Sequence, residues 1–424
     1  MSEELLRLPV PEVPPGEAGV AWLRSSVVRF SNGEDHARRR ALTAGLVEDL
    51  DVTTLDELAT ALGLSGSLDA IAEIAPCYQP HEPVTAAADA AVERLATTHD
   101  EVTAARIGLL VQAWAATNAH ADHLVTGDQS PPVPITRRQT RQGVVEVSLE
   151  HHPFGHGPHA CPGRRLATRI AKNMAFRALH HRDEPLILPN AWDYASAAAL
   201  HAAGFTAIGT TSLGVAAAHG IPDGMGLAGD QAVALAKLLS TLPCPVTADL
   251  ESGFGKSPVE VAELVAGLGV AGVNLEDGRP HGLATPEEQA ALITAVKERA
   301  PGVFLNARID THWLGMAIGE TEERARRYVD AGADGIFVAG LTEPREIERL
   351  AQLAPLNVLA QQRTPEELGN LGVKRISTGS LLFRAALHHT VATAQAVRAG
   401  GTSAAFGYDE VQALVSRGTR SGAE

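Results

Sequence analysis

Val246-Thr247-Ala248-Asp249-Leu250-Glu251 is a short apolar run that ends in two carboxylates, and runs like it recur along the second half of the chain. On an extended strand successive side chains alternate between faces, so Asp249 and Glu251, two apart, share one. Working outward, residues 272–277 carry Val273-Asn274-Leu275 into Glu276-Asp277, and residues 304–310 carry Phe304-Leu305-Asn306-Ala307 into Arg308-Ile309-Asp310. Five more such runs lie at 186–192, 207–212, 335–340, 356–360 and 374–380. Segments of helix length, among them 258–267, 286–300 and 320–331, separate them. Eight β-like runs joined by helices predict a parallel sheet, and eight is the number that closes a (β/α)8 TIM-type barrel of about 250 residues. The alternative is an open doubly wound sheet. No G-x-G-x-x-G opens the first βα turn, which weighs against dinucleotide binding.

The chain has 424 residues, enough for two or three domains. Hydrophobic residues at 45% can fill a large core, and with aromatics at 4% that core is built from Ala, Val, Leu and Ile. The formal net charge of −15 disfavours a nucleic-acid or anionic-membrane partner, because no long basic stripe is present to release counterions. An anionic substrate stays open, since local cations decide that. Three distant cysteines, Cys77, Cys161 and Cys244, argue against a disulfide framework. Residues 1–16 are acidic and Pro-rich, without the charged-then-apolar order of a secretory signal. No apolar run is long enough to span a bilayer. A soluble cytoplasmic protein, with neither nucleic acid nor membrane as partner, is the expectation.

Barrels place their chemistry at the C-terminal ends of strands, and the polar residues of the second half fall there. Asp249, Glu251 and Glu276, gathered in one mouth, repel each other unless something positive sits between them. A hard divalent cation suits such oxygen ligands, and Mg²⁺ keeps several waters in sites of this kind. Arg308 offers a planar fork for a substrate carboxylate. Cation plus arginine is the minimal equipment to hold a 2-oxo acid and stabilise the enolate left when a bond to the adjacent carbon breaks.

These residues carry a resemblance. Leu188-Pro189-Asn190-Ala191-Trp192-Asp193, Thr211-Ser212-Leu213-Gly214, Thr247-Ala248-Asp249-Leu250-Glu251-Ser252-Gly253-Phe254-Gly255, Asn274-Leu275-Glu276-Asp277 and Asn306-Ala307-Arg308-Ile309-Asp310 resemble the signature segments of the isocitrate lyase / phosphoenolpyruvate mutase family over residues 176–399. The resemblance implies a Mg²⁺-dependent lyase or mutase that cleaves or forms a C–C or C–P bond beside a 2-oxo or carboxylic acid. It implies that Asp249 is the direct metal ligand, with Glu251 and Glu276 acting through metal-bound water and Asp223 a further acid near the metal. Backbone groups of Thr211, Ser212 and Leu213, with Arg308, would hold the substrate carboxylate. It also implies a homo-oligomer that exchanges a C-terminal helix, and residues 406–417 read as one. One departure is plain. The lyases carry a catalytic cysteine in the loop after the fourth strand, whereas here that loop is Gly278-Arg279-Pro280-His281-Gly282. His281 and Arg279 are its candidate acids.

The first half has a different grammar. Residues 17–171 read mostly as helix, notably 84–97 and 101–125, followed by a Pro-rich break at 130–134, a basic patch (Arg137, Arg138, Arg141) and a strand-like 143–149. Phe154-Gly155-His156-Gly157-Pro158-His159-Ala160-Cys161-Pro162-Gly163 resembles the cysteine-ligand loop of the haem-thiolate monooxygenases, the cytochromes P-450. That resemblance implies haem with Cys161 as axial ligand, flanked by Phe154 and His159. His36 and Arg40, four apart on one helix face, resemble the pair that contacts haem propionates. Ala115-Ala116-Thr117 resembles the helix bearing the oxygen-activating threonine, although Thr117 alone reads as an ordinary helical threonine and residues 38–40 alone as a solvated basic run. The Glu-x-x-Arg helix that braces such loops is missing, so residues 17–172 read as a shortened haem domain.

The expected organisation is a helical domain over 1–172 and an α/β barrel over 173–424. The barrel reads as a carbon–carbon lyase. The competing reading is a haem-binding oxidoreductase or sensor fused to a barrel that no longer catalyses.

Overall fold

The computed structural model describes residues 2–128 and 130–420. Residues 1, 129 and 421–424 of the two expected domains lie outside them. The chain divides into two compact units, Met1–Met174 and Ala175–Glu424, with the boundary inside the helix Arg164–Leu179.

The second unit is a barrel. Its strands are Leu186–Leu188 continued by Asn190–Ala191, then Ile208–Thr210, Val246–Asp249, Gly272–Glu276, Phe304–Ile309, Gly335–Val338, Leu356–Leu359 and Val373–Ser377. All neighbours pair in parallel. Pro189 lacks an N–H and splits the first strand in two. Its first piece pairs with the eighth strand and its second with the second strand, which closes the ring. The strands are buried on both faces, as a parallel sheet requires. Val273, Leu275, Leu305 and Val338 are at 0% exposure, each stabilising the fold by about 1.5–3 kcal/mol.

The connecting helices start on local instructions. Ser257-Pro258-Val259-Glu260, Thr285-Pro286-Glu287-Glu288 and Thr364-Pro365-Glu366-Glu367 each form a reciprocal capping box with proline in the first turn. The expected C-terminal helix forms over Tyr408–Arg420 and packs on the helix Tyr194–Ala202 of its own barrel.

The first unit has a separate helical core. Leu23, Leu58, Ile71, Ile74, Ile107 and Leu110 are at 0% exposure in it. The helix Glu101–Thr126 is capped by Asp100 and ends at Gly127, whose φ of 77° satisfies a left-handed stop. The basic patch lies mostly in the strand Ile135–Thr140, paired antiparallel with Gly143–Ser148. Its Thr-Arg-Arg-Gln-Thr composition hides the strand from a hydropathy reading. Among the described residues no helix is long and apolar enough to cross a membrane.

Candidate active site

The third, fourth and fifth barrel strands bring Asp249, Glu276 and Arg308 to one rim. Asp249 is the residue opposite Asn274, and Arg308 is opposite Glu276. Arg308 Nη1 meets Glu276 Oε2 at 2.8 Å, and its Nε donates to Asp310 Oδ1 at 2.7 Å. The three side chains are 13%, 10% and 3% exposed, so this is a desolvated charge cluster and not a surface pair.

Glu251 stands at the head of the loop after the third strand, 3% exposed. Its N–H donates to Asp249 Oδ1 at 3.2 Å, and its Oε2 accepts from the N–H of Gly226 at 2.9 Å. Both Glu251 (φ 49°) and Phe254 (φ 57°) hold left-handed backbone that non-glycine residues adopt at a cost, a strain of the kind kept at functional loops. The Gly226 segment also carries Asp223, which accepts from the Ser212 hydroxyl and feels the charge of Asp249.

The electrostatics show crowding. Burial, the largest effect, raises the carboxyl groups of Asp223, Glu251, Glu276 and Asp310 above their ordinary ranges. Asp249 adds repulsion to each of them. Glu276 is pushed up to about 8 although Arg308 pulls it down. Burial disfavours the Arg308 cation, but Glu276, Asp310 and Asp249 outweigh it and hold the guanidinium charged. Such a rim favours a cation.

Asp249, Glu251 and Glu276, expected together as metal ligands, do not close into a direct cage. Among the described residues only Glu3, His152 and His156, of the first unit, place three such ligand atoms within 4.8 Å of one another. Glu276 faces Arg308 instead. Of the backbone donors expected to hold a carboxylate, the N–H of Thr211 is already bonded to the Ala191 carbonyl at 3.2 Å. Ser212 and Leu213 head the helix Ser212–Ala218, where first-turn N–H groups have no intrahelical partner. Arg279 Nη1 donates to the carbonyls of Glu276 and Gly278, both at 2.8 Å. His281 is exposed in the turn of a small hairpin.

The sequence reading missed the support behind Arg308. Asp310 grips the guanidinium, and its own N–H donates to Asp277 Oδ1 at 2.9 Å. Asp277, fully buried, is held by Arg324 Nη1 at 3.1 Å and the Tyr328 hydroxyl at 2.8 Å. Asp310 lies two residues beyond Arg308, a spacing that could have flagged it. Nothing local ties Arg324 and Tyr328 to the site.

The profile of the phosphoenolpyruvate phosphomutase family matches residues 176–398. This chain belongs to the phosphoenolpyruvate phosphomutase family. An uncharacterized protein of Mycobacterium tuberculosis (strain H37Rv) is 46% identical to it over 232 residues, 54% of this chain and 90% of that protein. The 2-methylisocitrate lyase of Salmonella typhimurium is 31% identical over 205 residues, 44% of this chain and 68% of that enzyme. A crystal structure of phosphonopyruvate hydrolase with oxalate and Mg²⁺ has the same fold, with a TM-score of 0.53 at 23% identity, over 59% of this chain and 96% of that one. The barrel is therefore a domain of the phosphoenolpyruvate mutase / isocitrate lyase superfamily, as its motifs implied. Its relatives include 2-methylisocitrate lyases. The family match begins at Phe176, so the first unit stands outside it.

That first unit holds a second constellation. Cys161, His159, Phe154, His36, Arg40 and Thr117 all line one cavity of about 670 Å³. The loop is shaped by Gly155 (φ 76°), where a Cβ would meet the His159 carbonyl at 3.0 Å. Cys161 N–H donates to the Phe154 carbonyl at 2.7 Å, and the Gly163 N–H donates to the Cys161 sulfur. Although Cys161 is exposed, desolvation by the packing around it raises the thiol, while that N–H, Arg40 and Arg29 pull it down. His36 and His159 lie 4.3 Å apart, centroid to centroid. Burial drops His159 to about 4, and it lowers His36 too. Arg40 bonds the Ala160 carbonyl and lines the cavity, which corrects its reading as part of a solvated basic run. Arg38, 55% exposed and paired with Asp35 and Glu101, fits that reading.

Proposed function

We propose that the barrel is a Mg²⁺-dependent carbon–carbon lyase acting on a small 2-oxo or carboxylic acid. The observation that carries this reading is the desolvated guanidinium of Arg308 beside Glu276 and Asp310, on the rim that bears Asp249. The donor set is all oxygen and crowded, its acids raised chiefly by burial with mutual repulsion added, and it fits a hard cation. Asp249 would hold that cation directly, with Glu251, Glu276 and Asp223 around it; when bound, Mg²⁺ supplies positive charge to the developing enolate. Arg308 binds and orients the substrate carboxylate in a planar, two-pronged grip. Asp310 and Asp277 fix the plane of that grip, so little reorganisation is needed as charge develops. In such a cleavage a hydroxyl on the departing carbon loses its proton and becomes the carbonyl of one product, the electron pair of the broken C–C bond stays on the other fragment as the enolate, and a proton must later return to that carbon. The likeness to 2-methylisocitrate lyase and to a hydrolase bound to oxalate and Mg²⁺ supports the substrate class. The test is a screen of three- to six-carbon carboxylic acids for release of pyruvate, glyoxylate or a similar 2-oxo acid with and without Mg²⁺. Cation-dependent product release supports the proposal, and turnover indifferent to chelation sinks it.

A second reading concerns the first unit. We propose that its cavity takes haem with Cys161 as axial ligand. The supporting observation is that the cavity is walled by apolar residues, the Cys161 thiol and Arg29, Arg40, Arg137 and Arg138, with no Asp or Glu among its described lining. Apart from Arg137, which Glu146 meets at 3.0 Å, these cations have no carboxylate partner among the described residues, and such cations on an apolar wall suit a flat, apolar dianion. Haem would bring redox-active iron there. Haemin titrated into the purified chain should give a thiolate-type Soret band; a spectrum of free haemin would end this reading. We also propose self-association through the helix Leu381–Arg398, whose Leu387 and Val391, four apart, are 52% and 57% exposed. Sedimentation of Leu387→Glu against the parent chain tests it: a lower mass for the variant is expected, and equal masses refute it.

A further inference from the structure

Barrel interiors are normally filled with layers of Val, Ile and Leu. One level of this barrel is polar instead. Arg375, on the eighth strand, is at 0% exposure. Its Nε donates to Ser377 Oγ at 3.0 Å, and its Nη2 to Asn274 Oδ1 at 3.3 Å. Asn274 also accepts from Asn306 Nδ2 at 3.0 Å, and Ser377 donates to Asn357 Oδ1 at 3.0 Å. One network thus ties the fourth, fifth, seventh and eighth strands across the interior. Within it Arg375 Nη1 and Asn357 Nδ2 have no partner, nor does Thr247 Oγ1 on the third strand.

Among the described residues no carboxylate pairs with Arg375. A buried charge without a counter-ion is costly, and apolar residues of similar volume commonly replace such groups without loss of stability. Packing therefore does not require an arginine here. Burial pulls Arg375 down to about 9, and Asp249 is the acid whose charge pulls it back up. The path to Asp249 is short: Arg375 is bonded to the side chain of Asn274, the residue opposite Asp249 in the sheet. The guanidinium thus sits within the electrostatic reach of a rim that carries Asp223, Asp249, Glu251, Glu276 and Asp310 against Arg308.

We propose that Arg375 is a positioning residue of the barrel site, a permanent positive charge inside the barrel that loosens cation binding and tightens the hold on an anionic ligand. The proposal rests on the reading of that rim as a site for a cation and a carboxylate. A dianion arriving at the rim meets mostly carboxylates, and one more buried cation lowers that barrier. Because the charge acts through space, its removal must move the two ligands in opposite directions.

The experiment uses the full chain freed of metal by chelation. Mn²⁺ is titrated alone, and oxalate is then titrated at saturating Mn²⁺, for the parent, Arg375→Lys and Arg375→Met. Arg375→Met should bind Mn²⁺ about three- to tenfold tighter and oxalate about three- to tenfold weaker, the range expected for one charge at intermediate effective dielectric. Arg375→Lys keeps the charge and should stay near the parent for both. Weakening of both ligands in both variants would show a merely structural arginine and overturn the proposal, as would no change in either. If Arg375→Met does not fold, Arg375→Gln gives the same comparison. An Asp249→Ala control separates the two claims: unchanged Mn²⁺ affinity there faults the reading of the rim itself, whatever Arg375 does.

Discussion

Replacing Glu276 by glutamine tests whether the rim holds more negative charge than it can keep without a cation. Glu276 is 8% exposed. Burial lifts its carboxyl to about 8 from an ordinary 4.5; Arg308 opposes the rise, and Asp310, Asp249 and Glu251 add to it. A group whose pKa is raised on folding gives its full stabilisation below the unfolded value and loses it as pH climbs through the folded value. The window therefore runs from about pH 4.5 to about pH 8. The gap between those values sets a ceiling of about 5 kcal/mol at 1.36 kcal/mol per tenfold change. Asp310 shares the same guanidinium, so the two acids titrate together and about 2–4 kcal/mol is the expected share of Glu276. Urea unfolding in chelator at about pH 5 and about pH 8 measures it. The parent chain should lose about 2–4 kcal/mol more than Glu276→Gln between those pH values. Parallel pH profiles for the two proteins would refute the crowding argument.

Asp249→Ala should abolish cation-dependent turnover and weaken Mn²⁺ binding by at least about tenfold, with folding retained by circular dichroism; full activity in that variant removes Asp249 from the metal site. Gly278→Ala places a methyl group against the Asp310 carboxylate, so it should cost about 1–3 kcal/mol in thermal unfolding and raise KM through the displaced Arg308. An unchanged KM would mean that Asp310 does not steer the guanidinium. Cys161→Ser should lose the thiolate-type Soret band expected of haemin-loaded protein, and a band identical to the parent's would exclude the sulfur as ligand.

Much of the barrel was readable because its strands are short apolar runs and its helices begin on Ser/Thr-Pro signals. The first strand's split at Pro189 follows from proline chemistry, but its role in closing the ring depends on which strands meet at either side. The strand Ile135–Thr140 was obscured by its polar composition. At the site, Asp249, Glu251, Glu276 and Arg308 were legible because they end apolar runs. Asp277 depends on Arg324 and Tyr328, 47 and 51 residues away, and such pairs leave no local trace. Arg375 lies in the run at 374–380, and nothing local marks it as interior; only closure of the barrel buries it. In the first unit, Arg40 belonged to a run of three arginines whose members the fold sends to different surroundings.

The claim that matters most is that Asp249 and Arg308 hold a cation and a carboxylate side by side. Crystals grown with Mn²⁺ and oxalate test it by anomalous scattering. A manganese peak within about 2.2 Å of an Asp249 carboxylate oxygen, with oxalate against Arg308, is the predicted result. A manganese ion bound elsewhere, with oxalate absent from Arg308, would contradict it.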